Sequence, residues 1–391
     1  MDEKQTAPDT GGIRTLQLGM NWFPEQPGSG ADRMFYGLAR HLPPAGVDVD
    51  GLVTGSSQVD GTAGPAAVCA FAEEDAPLPK RLWRLRRAAR RNGDRAPHDL
   101  VATHFALYAL PVLDMTKTRP LVVHFHGPWA AESRAEGEHG LRVWLKELVE
   151  RVVYRCGARF IVLSEAFRSE LVRTFGVPPE RVRIVPGGVE AGRFDTGRSR
   201  REARERLGWP TGRPLMLSVR RLVRRVGLEH LIAAMETVRR QAPEALLLIA
   251  GQGPLAGELR AQIRDAGLEE HVRLLGFVPD EDLPLAYRAA DVSVVPTVAL
   301  EGFGLIAVES LAAGTPPLVT PVGGLPEIVR GLSEDLILPP APSEAFADAL
   351  VAALSGARAL PSDARCRQYA RERFDWPVIA RQVREVYEEV V

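Results

Sequence analysis

The sequence has few of the residues that form covalent or metal crosslinks. Its three cysteines, Cys69, Cys156 and Cys366, are far apart and odd in number. Such a set excludes a disulfide framework and a cysteine zinc site, and it is typical of a reducing compartment. Lysine is also scarce, because only four of the 49 basic residues are lysines. We therefore expect any cationic site to be built from arginine.

The sequence also lacks an excess of one charge and long apolar runs. Its net charge is -1, which provides no overall positive field to hold nucleic acid. No apolar run approaches the roughly 18 residues of a membrane span, and the polar first twelve residues do not resemble a secretory signal. Since 45% of the residues are apolar, we expect a cytoplasmic protein with an ample core and no nucleic-acid partner.

Short apolar runs alternate with longer helical patterns along most of the 391 residues. This alternation predicts parallel α/β sheets, and the pattern restarts after an arginine-rich connector near residue 190, which predicts two doubly wound domains. We predict a disordered tail at 1–12, domains at 13–190 and 191–364, and a helical segment at 365–391 that could pack on either domain. Strands are predicted at 13–18, 47–53, 100–103, 121–125 and 159–163, and then at 215–219, 246–250, 272–275, 292–295 and 317–320.

One segment, residues 80–95, has eight basic residues and a single acid, with Leu82, Trp83 and Leu85 interleaved. A basic amphipathic helix can lie on an anionic membrane or hold an acidic substrate. A solvated arginine face is the interpretation we favour, because one such helix without a second anchoring signal binds membranes weakly.

The strongest motif is EGFG, at residues 301–304, after a predicted strand and before a helix that carries Glu309. Glycines at 302 and 304 let the backbone approach a ligand, and the free N–H groups of the helix that follows would face a phosphate. Glu309 is suited to accept hydrogen bonds from ribose hydroxyls, and Glu301 from sugar hydroxyls. Both glutamates could instead complement the helix dipole, but two acids flanking this turn favour a site.

The EGFG turn and the AAGTPPLVTPVGGLPEIV stretch that follows resemble the signature of glycosyltransferase family 4. The similarity extends from about residue 13 to about residue 355. It implies a GT-B fold, in which two Rossmann-like domains face a central cleft, and a retaining transfer of sugar from a nucleoside-diphosphate sugar. In that family, the match to Glu301 contacts the sugar and the match to Glu309 contacts the ribose. The backbone of Phe303, Gly304 and Leu305 would hold the diphosphate and sugar.

The resemblance implies further contacts in the second domain. Arg221 matches the family arginine that holds the departing diphosphate, whereas Val226 occupies the position of the family lysine. Arg225 or Arg224 could supply that missing cation. Gly253 would lie near the nucleotide sugar. The backbone around Phe277 and Val278 would frame the nucleobase.

In the first domain, a glycine-rich turn at 21–33 resembles the family loop in which an amide near Gly30 meets phosphate or acceptor. His126, after a predicted strand, matches the family histidine that contacts the sugar, and His124 is a lesser candidate on the same face. Asp48 and Asp50 spell a DxD motif, which we attribute to chance.

These features predict a metal-independent transferase, with no cofactor, that acts on an acceptor hydroxyl. We favour a soluble small molecule as acceptor, such as a specialised metabolite, over a membrane lipid or polysaccharide. Three alternatives stay open: a GT-B enzyme that epimerises or phosphorolyses sugars, a nicotinamide oxidoreductase built on the glycines at 251–257, and a nucleotide-sugar-binding protein with little turnover. The sequence does not indicate the oligomeric state.

Overall fold

The computed structural model describes residues 12–23, 29–56, 59, 66–95, 97–135 and 137–391. The chain forms two compact units, and each is built on one parallel sheet. The first unit contains Met1–Pro186 and Trp376–Val391, and the second contains Gly187–Asp375. The predicted tail lies outside the described residues except for residue 12.

The first unit has a seven-stranded sheet in the order β3-β2-β1-β4-β5-β6-β7. Its strands are β1 (Ile13–Asn21), β2 (Val47–Thr54), β3 (Ala67–Ala72), β4 (Leu100–Thr103), β5 (Leu121–Phe125), β6 (Gly157–Val162) and β7 (Val182–Ile184). Its helices are α1 (Gly30–His41), α2 (Leu78–Arg95), α3 (Ala106–Ala109), α4 (Trp129–Ala135), α5 (Leu141–Arg155) and α6 (Glu165–Phe175), together with the C-terminal helix described below.

The second unit has a five-stranded sheet in the order β10-β9-β8-β11-β12. Its strands are β8 (Leu215–Val219), β9 (Leu246–Ala250), β10 (Val272–Gly276), β11 (Val292–Val295) and β12 (Pro317–Val319). Its helices are α7 (Ala191–Phe194), α8 (Arg200–Leu207), α9 (Leu228–Gln241), α10 (Ala256–Asp265), α11 (Leu283–Ala289), α12 (Leu305–Ala312), α13 (Leu325–Val329), α14 (Glu344–Ser355) and α15 (Asp363–Phe374).

All ten predicted strands are present, with some ends shifted by a few residues. The central ones are easy to recognise because they are buried along their whole length, as in β5 and β9. Two strands were missed. β3 has partly exposed residues at the edge of its sheet, and β7 is three residues long. Neither gives the continuous apolar run of a buried strand.

Each sheet has one point at which the chain reverses its direction of winding. In the first sheet this point lies between β1 and β4, and in the second it lies between β8 and β11. Loops that leave the carboxyl ends of two such strands run to opposite sides and open a crevice where ligands bind. The two switch points therefore indicate where each unit holds its functional residues.

The C-terminal segment that we predicted as one piece, residues 365–391, is divided by the structure. Helix α15 belongs to the second unit, whereas α16 (Trp376–Glu388) belongs to the first. The Trp376 ring fills the space above Gly37 of α1, where a Cβ atom would come within 1.8 Å of it, and it stacks on His41. A buried indole and a glycine matched to it thus attach the last helix to the first unit.

In the part of the chain that the structure describes, each helix is too short or too polar to cross a lipid bilayer.

Candidate active site

The EGFG segment forms the loop between β11 and α12, at the switch point of the second sheet. Gly304 caps the helix with a φ of 100°, a left-handed conformation that favours glycine. Leu300 also has a positive φ, of 53°, which is unusual for a residue with a branched side chain. The loop is therefore tightly turned immediately before Glu301 and again at the beginning of the helix.

Glu301 is held by an arginine that follows β8. Its Oε2 lies 2.7 Å from Nη2 of Arg220, and the hydroxyl of Thr297 lies within hydrogen-bonding distance of both groups. The two charged side chains are 10% and 12% exposed. Arg220 and Glu301 lie in the loops that follow the two strands flanking the switch point, so the topology brings them together.

This ion pair is mostly removed from water, so each charge is stabilised mainly by the other. Because separating them would leave a costly unpaired ion, the carboxylate of Glu301 is held in one orientation. Among the described residues, Nε of Arg220 is buried and has no hydrogen-bond partner. The guanidinium thus has a further N–H that a bound anionic or hydroxyl-bearing ligand could accept from.

The PVGG segment, residues 321–324, lies against the same loop. The N–H of Gly324 donates to the carbonyl of Glu301 at 3.1 Å. A Cβ on Gly323 would lie 1.8 Å from that carbonyl oxygen, and Gly323 has a φ of 57°. Glycine is therefore required at this close approach, and the structure brings together the two glycine-rich segments that the sequence singled out.

The arginines after β8 occupy three different environments. Arg221 is exposed, whereas Val226 is buried. Arg224 forms a surface ion pair with Glu258. Arg225 donates to the carbonyl of Leu300 at 2.9 Å, and its own carbonyl accepts from the N–H groups of the 298–299 segment. Of the two candidates for the missing lysine, Arg225 is therefore the one beside the Glu301 loop.

Glu309 lies on α12, one turn after Gly304, and is 9% exposed. Its Oε2 accepts a hydrogen bond from the hydroxyl of Tyr287 on α11 at 3.0 Å. The sequence did not single out Tyr287, because an aromatic residue in an amphipathic helix is usually part of the core. The structure shows that its hydroxyl orients the carboxylate predicted to bind ribose.

A cavity of about 240 Å³ opens at the carboxyl ends of β8, β9 and β10. Gly251 and Gly253 line it, and a Cβ at either position would strike the backbone of the Arg220–Leu222 segment. Arg260 of α10 also lines the cavity. Gly276, which precedes the predicted nucleobase segment, is another lining residue, whereas Phe277 is exposed and Val278 half-buried.

In the first unit, Gly30 is the first residue of α1. Ser29 and Asp32 form a capping box at this helix end, in which each side chain binds the backbone of the other. These contacts occupy the N–H groups of Ser29 and Asp32, so the amide predicted to meet a ligand near Gly30 is neither of these two. Residues 24–28 of the same predicted loop lie outside the described residues.

His126 follows β5, close to the switch point of the first sheet. Its Nε2 lies 3.1 Å from Nδ1 of His104, which follows β4, and the rings of His104, His124 and His126 are nearly parallel. Burial lowers the pKa of His126 to about 4. Burial and the neighbouring imidazoles hold the pKa values of the other two well below their ordinary value. All three are neutral at pH 7.

A buried glutamate holds the loop that follows His126. Glu150 of α5 accepts hydrogen bonds from the N–H groups of Trp129, at 2.7 Å, and Ala130, at 3.2 Å. Burial raises the pKa of Glu150 to about 7, although these hydrogen bonds act in the opposite direction. The start of α4 is thus fixed by a side chain rather than by solvent.

The DxD residues lie apart from these sites, on β2. Asp50 pairs with His98 at 2.7 Å. Within the described ranges, no group of three or more histidine, cysteine, aspartate or glutamate side chains could hold a metal ion.

Comparison with known proteins decides the family. The model for glycosyltransferase family 4 matches residues 28–193, and the model for group 1 glycosyl transferases matches residues 199–373. D-inositol 3-phosphate glycosyltransferase from Nocardia farcinica is 31% identical over 334 residues, which cover 81% of this chain and 71% of that protein. The chain belongs to glycosyltransferase family 4.

Two further comparisons concern other substrates and the fold. A GDP-mannose-dependent phosphatidylinositol monomannoside mannosyltransferase from Mycobacterium tuberculosis is 31% identical over 56% of this chain. The chain spans about three fifths of that protein, because the match covers 58% of it. The Anabaena protein HepE, solved with UDP and glucose, has a TM-score of 0.77 at 20% identity, with 96% of this chain and 100% of that chain covered. The fold is GT-B.

The role of Arg221 in holding the diphosphate stays a prediction, and the structure adds that the neighbouring Arg220 pairs with Glu301. It also brings His104 to His126, and Tyr287 to Glu309. These partners come from distant parts of the chain, so no local motif marks them. Of the three missed residues, only His104 could have been singled out from the sequence, because it follows a buried strand as His126 does.

Proposed function

We propose that the chain is a retaining glycosyltransferase that moves a sugar from a nucleoside-diphosphate sugar to a hydroxyl of a small soluble acceptor, without a required metal. The observation that carries this proposal is the buried Arg220–Glu301 pair beside the glycine-capped start of α12. A fixed carboxylate suits sugar hydroxyls, and the helix N-terminus suits a phosphate.

Each candidate residue has a separate role in the proposed transfer. Arg221, Arg225 and the amides of Phe303–Leu305 offset the charge that develops on the departing diphosphate. Glu301 and His126 orient the sugar, and Glu309 binds the ribose. No protein nucleophile is required, because the acceptor oxygen bonds to the anomeric carbon on the same face from which the diphosphate departs as its bond to that carbon breaks. The departing phosphate assists removal of the acceptor proton. The family match and the UDP complex of the Anabaena relative support a nucleotide-sugar substrate.

The nucleotide is identified by thermal unfolding with UDP, GDP, ADP and TDP, since a ligand that binds the folded state raises its stability. We expect one of the four to raise the melting temperature most, and Glu309→Ala to reduce that shift. NADH serves as the negative control. Stabilisation by NADH with none by any of the four nucleotides would support an oxidoreductase instead.

Product analysis tests the reaction itself. With the nucleotide sugar identified, we expect a glycoside whose anomeric configuration matches that of the substrate, formed at the same rate after treatment with EDTA. An inverted product contradicts retention, and loss of activity in EDTA that is restored by a divalent metal contradicts metal independence. Epimerised or phosphorylated sugar would favour one of the rival enzymes.

A second candidate, a lipid acceptor, is favoured by two helices of the first unit. Leu141, Trp144, Leu145 and Leu148 form an exposed apolar stripe on α5. The basic helix α2, which carries an exposed Trp83, contacts the same Leu110–Val112 segment as α5 does. Apolar side chains beside cations suit an anionic phospholipid surface. The Mycobacterium relative is named for a phosphatidylinositol substrate.

Sedimentation with vesicles separates the two acceptor classes. For the lipid candidate, we expect binding to phosphatidylglycerol vesicles, weaker binding to phosphatidylcholine vesicles, and strong loss in the Trp144→Ser/Leu148→Ser variant. Ile184→Ser removes a similarly exposed apolar side chain from β7 of the same unit and is the matched control. No binding to either vesicle removes the lipid surface and leaves the soluble acceptor.

A further inference from the structure

Five side chains of the first unit, with His126 at one end, form one continuous hydrogen-bonded chain. Gln17 comes from β1, His104 from the loop after β4, His124 and His126 from β5 and its end, and Tyr387 from α16. Gln17 and Tyr387 are fully buried, and His104 and His124 are 4% exposed. A buried network of this kind has a defined direction, because each hydrogen has to be assigned to one partner.

The direction is set at the Gln17 end. The hydroxyl of Thr15 donates to the carbonyl of Asp48 at 2.9 Å, so its oxygen can only accept from Gln17. The amide nitrogen of Gln17 must therefore face Thr15, and it also lies 3.4 Å from the hydroxyl of Tyr387. This orientation leaves the amide oxygen of Gln17 3.3 Å from Nε2 of His104. An amide oxygen only accepts, so Nε2 of His104 carries a proton.

The proton on His104 decides the state of His126. His104 is neutral, so its Nδ1 has no proton and can only accept. The contact of 3.1 Å between this nitrogen and Nε2 of His126 therefore requires the proton on His126. Because His126 is also neutral, its own Nδ1 is left with a lone pair. Among the described residues that nitrogen is buried and has no hydrogen-bond partner.

At the other end, Tyr387 accepts from Gln17, which leaves its own hydroxyl hydrogen for Nε2 of His124, 2.8 Å away, when that nitrogen carries no proton. With His124 in that tautomer, all contacts run in one direction, from His126 through His104, Gln17 and Tyr387 to His124. No member has to be charged, which fits a site from which water is excluded.

We propose that His104 is a positioning residue that, with Gln17 and Tyr387, holds His126 with its proton on Nε2, so that Nδ1 accepts a hydrogen bond from one hydroxyl of the bound sugar. This inference rests on the proposed function. It assigns a role to the C-terminal helix, which supplies Tyr387 to the network. It also means that His126 does not act as a proton donor at neutral pH.

The test reads the tautomer directly. In protein labelled with ¹⁵N-histidine, two-bond ¹⁵N–¹H spectra report which ring nitrogen carries the proton. We expect His126 to be protonated at Nε2 in the unmodified chain. His104→Phe keeps a ring but removes the acceptor, and we expect it to give a mixture of tautomers. His104→Asn places an amide oxygen near the former Nδ1 and restores the Nε2 proton.

Kinetics supply the second readout. We expect His104→Phe to lower kcat/KM about tenfold, the loss of one hydrogen bond to substrate, and His104→Asn to recover most of it. Tyr387→Phe should lower it about threefold. Tyr369→Phe also removes a buried hydroxyl that donates to a backbone carbonyl, but in the second unit, and should change nothing.

Two results overturn the proposal: a proton on Nδ1 of His126 in the unmodified chain, or an unchanged tautomer and unchanged kcat/KM in both His104→Phe and Tyr387→Phe. If either variant does not fold, the other decides. The tautomer is read without substrate, so it does not depend on the proposed function. If His126 has the predicted tautomer but no nucleotide sugar supports transfer, the proposed function is wrong and the hydrogen-bond direction stands.

Discussion

The two units place their candidate residues at equivalent points of two parallel sheets, but those of the first unit are neutral and those of the second are charged. At the switch point of the first unit, between β1 and β4, the side chains are neutral imidazoles, an amide and a phenol. At the switch point of the second unit, between β8 and β11, Arg220 and Glu301 form a charged pair. The same topology therefore supports either kind of site, and the side chains decide which.

This difference in charge shows that different interactions hold the side chains of each site in place. The neutral network depends on burial, which removes charge from the histidines, and on a one-way sequence of hydrogen bonds. The charged pair depends on Coulomb attraction, which is strong because water is mostly excluded. We therefore expect the two sites to respond differently to charge removal and to acid.

The largest effect is expected from Glu301→Ala. It leaves the buried guanidinium of Arg220 without its carboxylate, which costs about 3–5 kcal/mol of unfolding free energy. It should also lower kcat more than it lowers affinity for the nucleoside diphosphate. Denaturant unfolding and steady-state kinetics measure the two. Glu258→Ala removes the exposed partner of Arg224 and should cost less than about 1 kcal/mol. Equal losses of unfolding free energy in the two variants would show that the Arg220–Glu301 pair stabilises the fold no more than a surface pair does.

As the pH falls, we expect the first unit, with its neutral histidine network, to lose stability before the second unit does. The unfolded chain protonates His126 below its ordinary pKa of 6.5, whereas the folded unit does so only near 4. Between these values the unfolded state binds more protons, so stability falls as the pH falls, by about 3 kcal/mol for this group. His104 and His124 act in the same direction. Glu150, with a pKa raised to about 7, partly offsets them because its contribution is present at low pH and is lost as the pH rises.

The second unit should resist acid over the same range. Burial raises the pKa of Asp363, but hydrogen bonds and charges from Arg288 and Arg200 lower it overall. Its stabilising effect is thus present above the usual value of 3.8 and is lost only as the pH falls further. Urea unfolding from pH 7 to pH 4.5, followed by hydrogen exchange in each unit, measures this difference. Earlier loss of the second unit would contradict the assignment of the neutral network.

A smaller effect separates the two arginines near Val226. Arg225→Ala removes the hydrogen bond to the carbonyl of Leu300, and we expect a KM for the nucleotide sugar about five- to tenfold higher, since a bond to a charged donor contributes about 1–2 kcal/mol. Arg224→Ala removes a solvent-exposed ion pair and should stay within twofold. The reverse order in steady-state kinetics would assign the missing lysine's role to Arg224.

The smallest effect is expected from Tyr287→Phe. The carboxylate of Glu309 loses one hydrogen bond of 3.0 Å, so nucleoside-diphosphate affinity should fall about threefold to fivefold with little change in kcat. Titration calorimetry measures the affinity, and Tyr369→Phe again provides a buried hydroxyl elsewhere in the same unit. An unchanged affinity would show that the orientation of Glu309 does not depend on Tyr287.

Much of the fold could be predicted because its signals are local. Fully buried strands are apolar along their length, and the glycines at 304 and 323 mark turns where a side chain would not fit. The resemblance located the Glu301 loop and His126 for the same reason, since each follows a buried strand. The predicted boundary was residue 190, and the chain divides after Pro186. The sequence left open on which unit the last helix packs, and the structure places α16 in the first.

The sequence by itself determined the two parallel-sheet units, the turn at Gly304 and which segments end at a sheet edge. Only the tertiary structure decided that Arg220 pairs with Glu301, and that Gln17, His104 and Tyr387 lie behind His126. The physical reason is distance along the chain. Backbone conformation depends on neighbouring residues, whereas a buried ion pair or hydrogen-bonded chain exists only once strands far apart in sequence have been packed side by side.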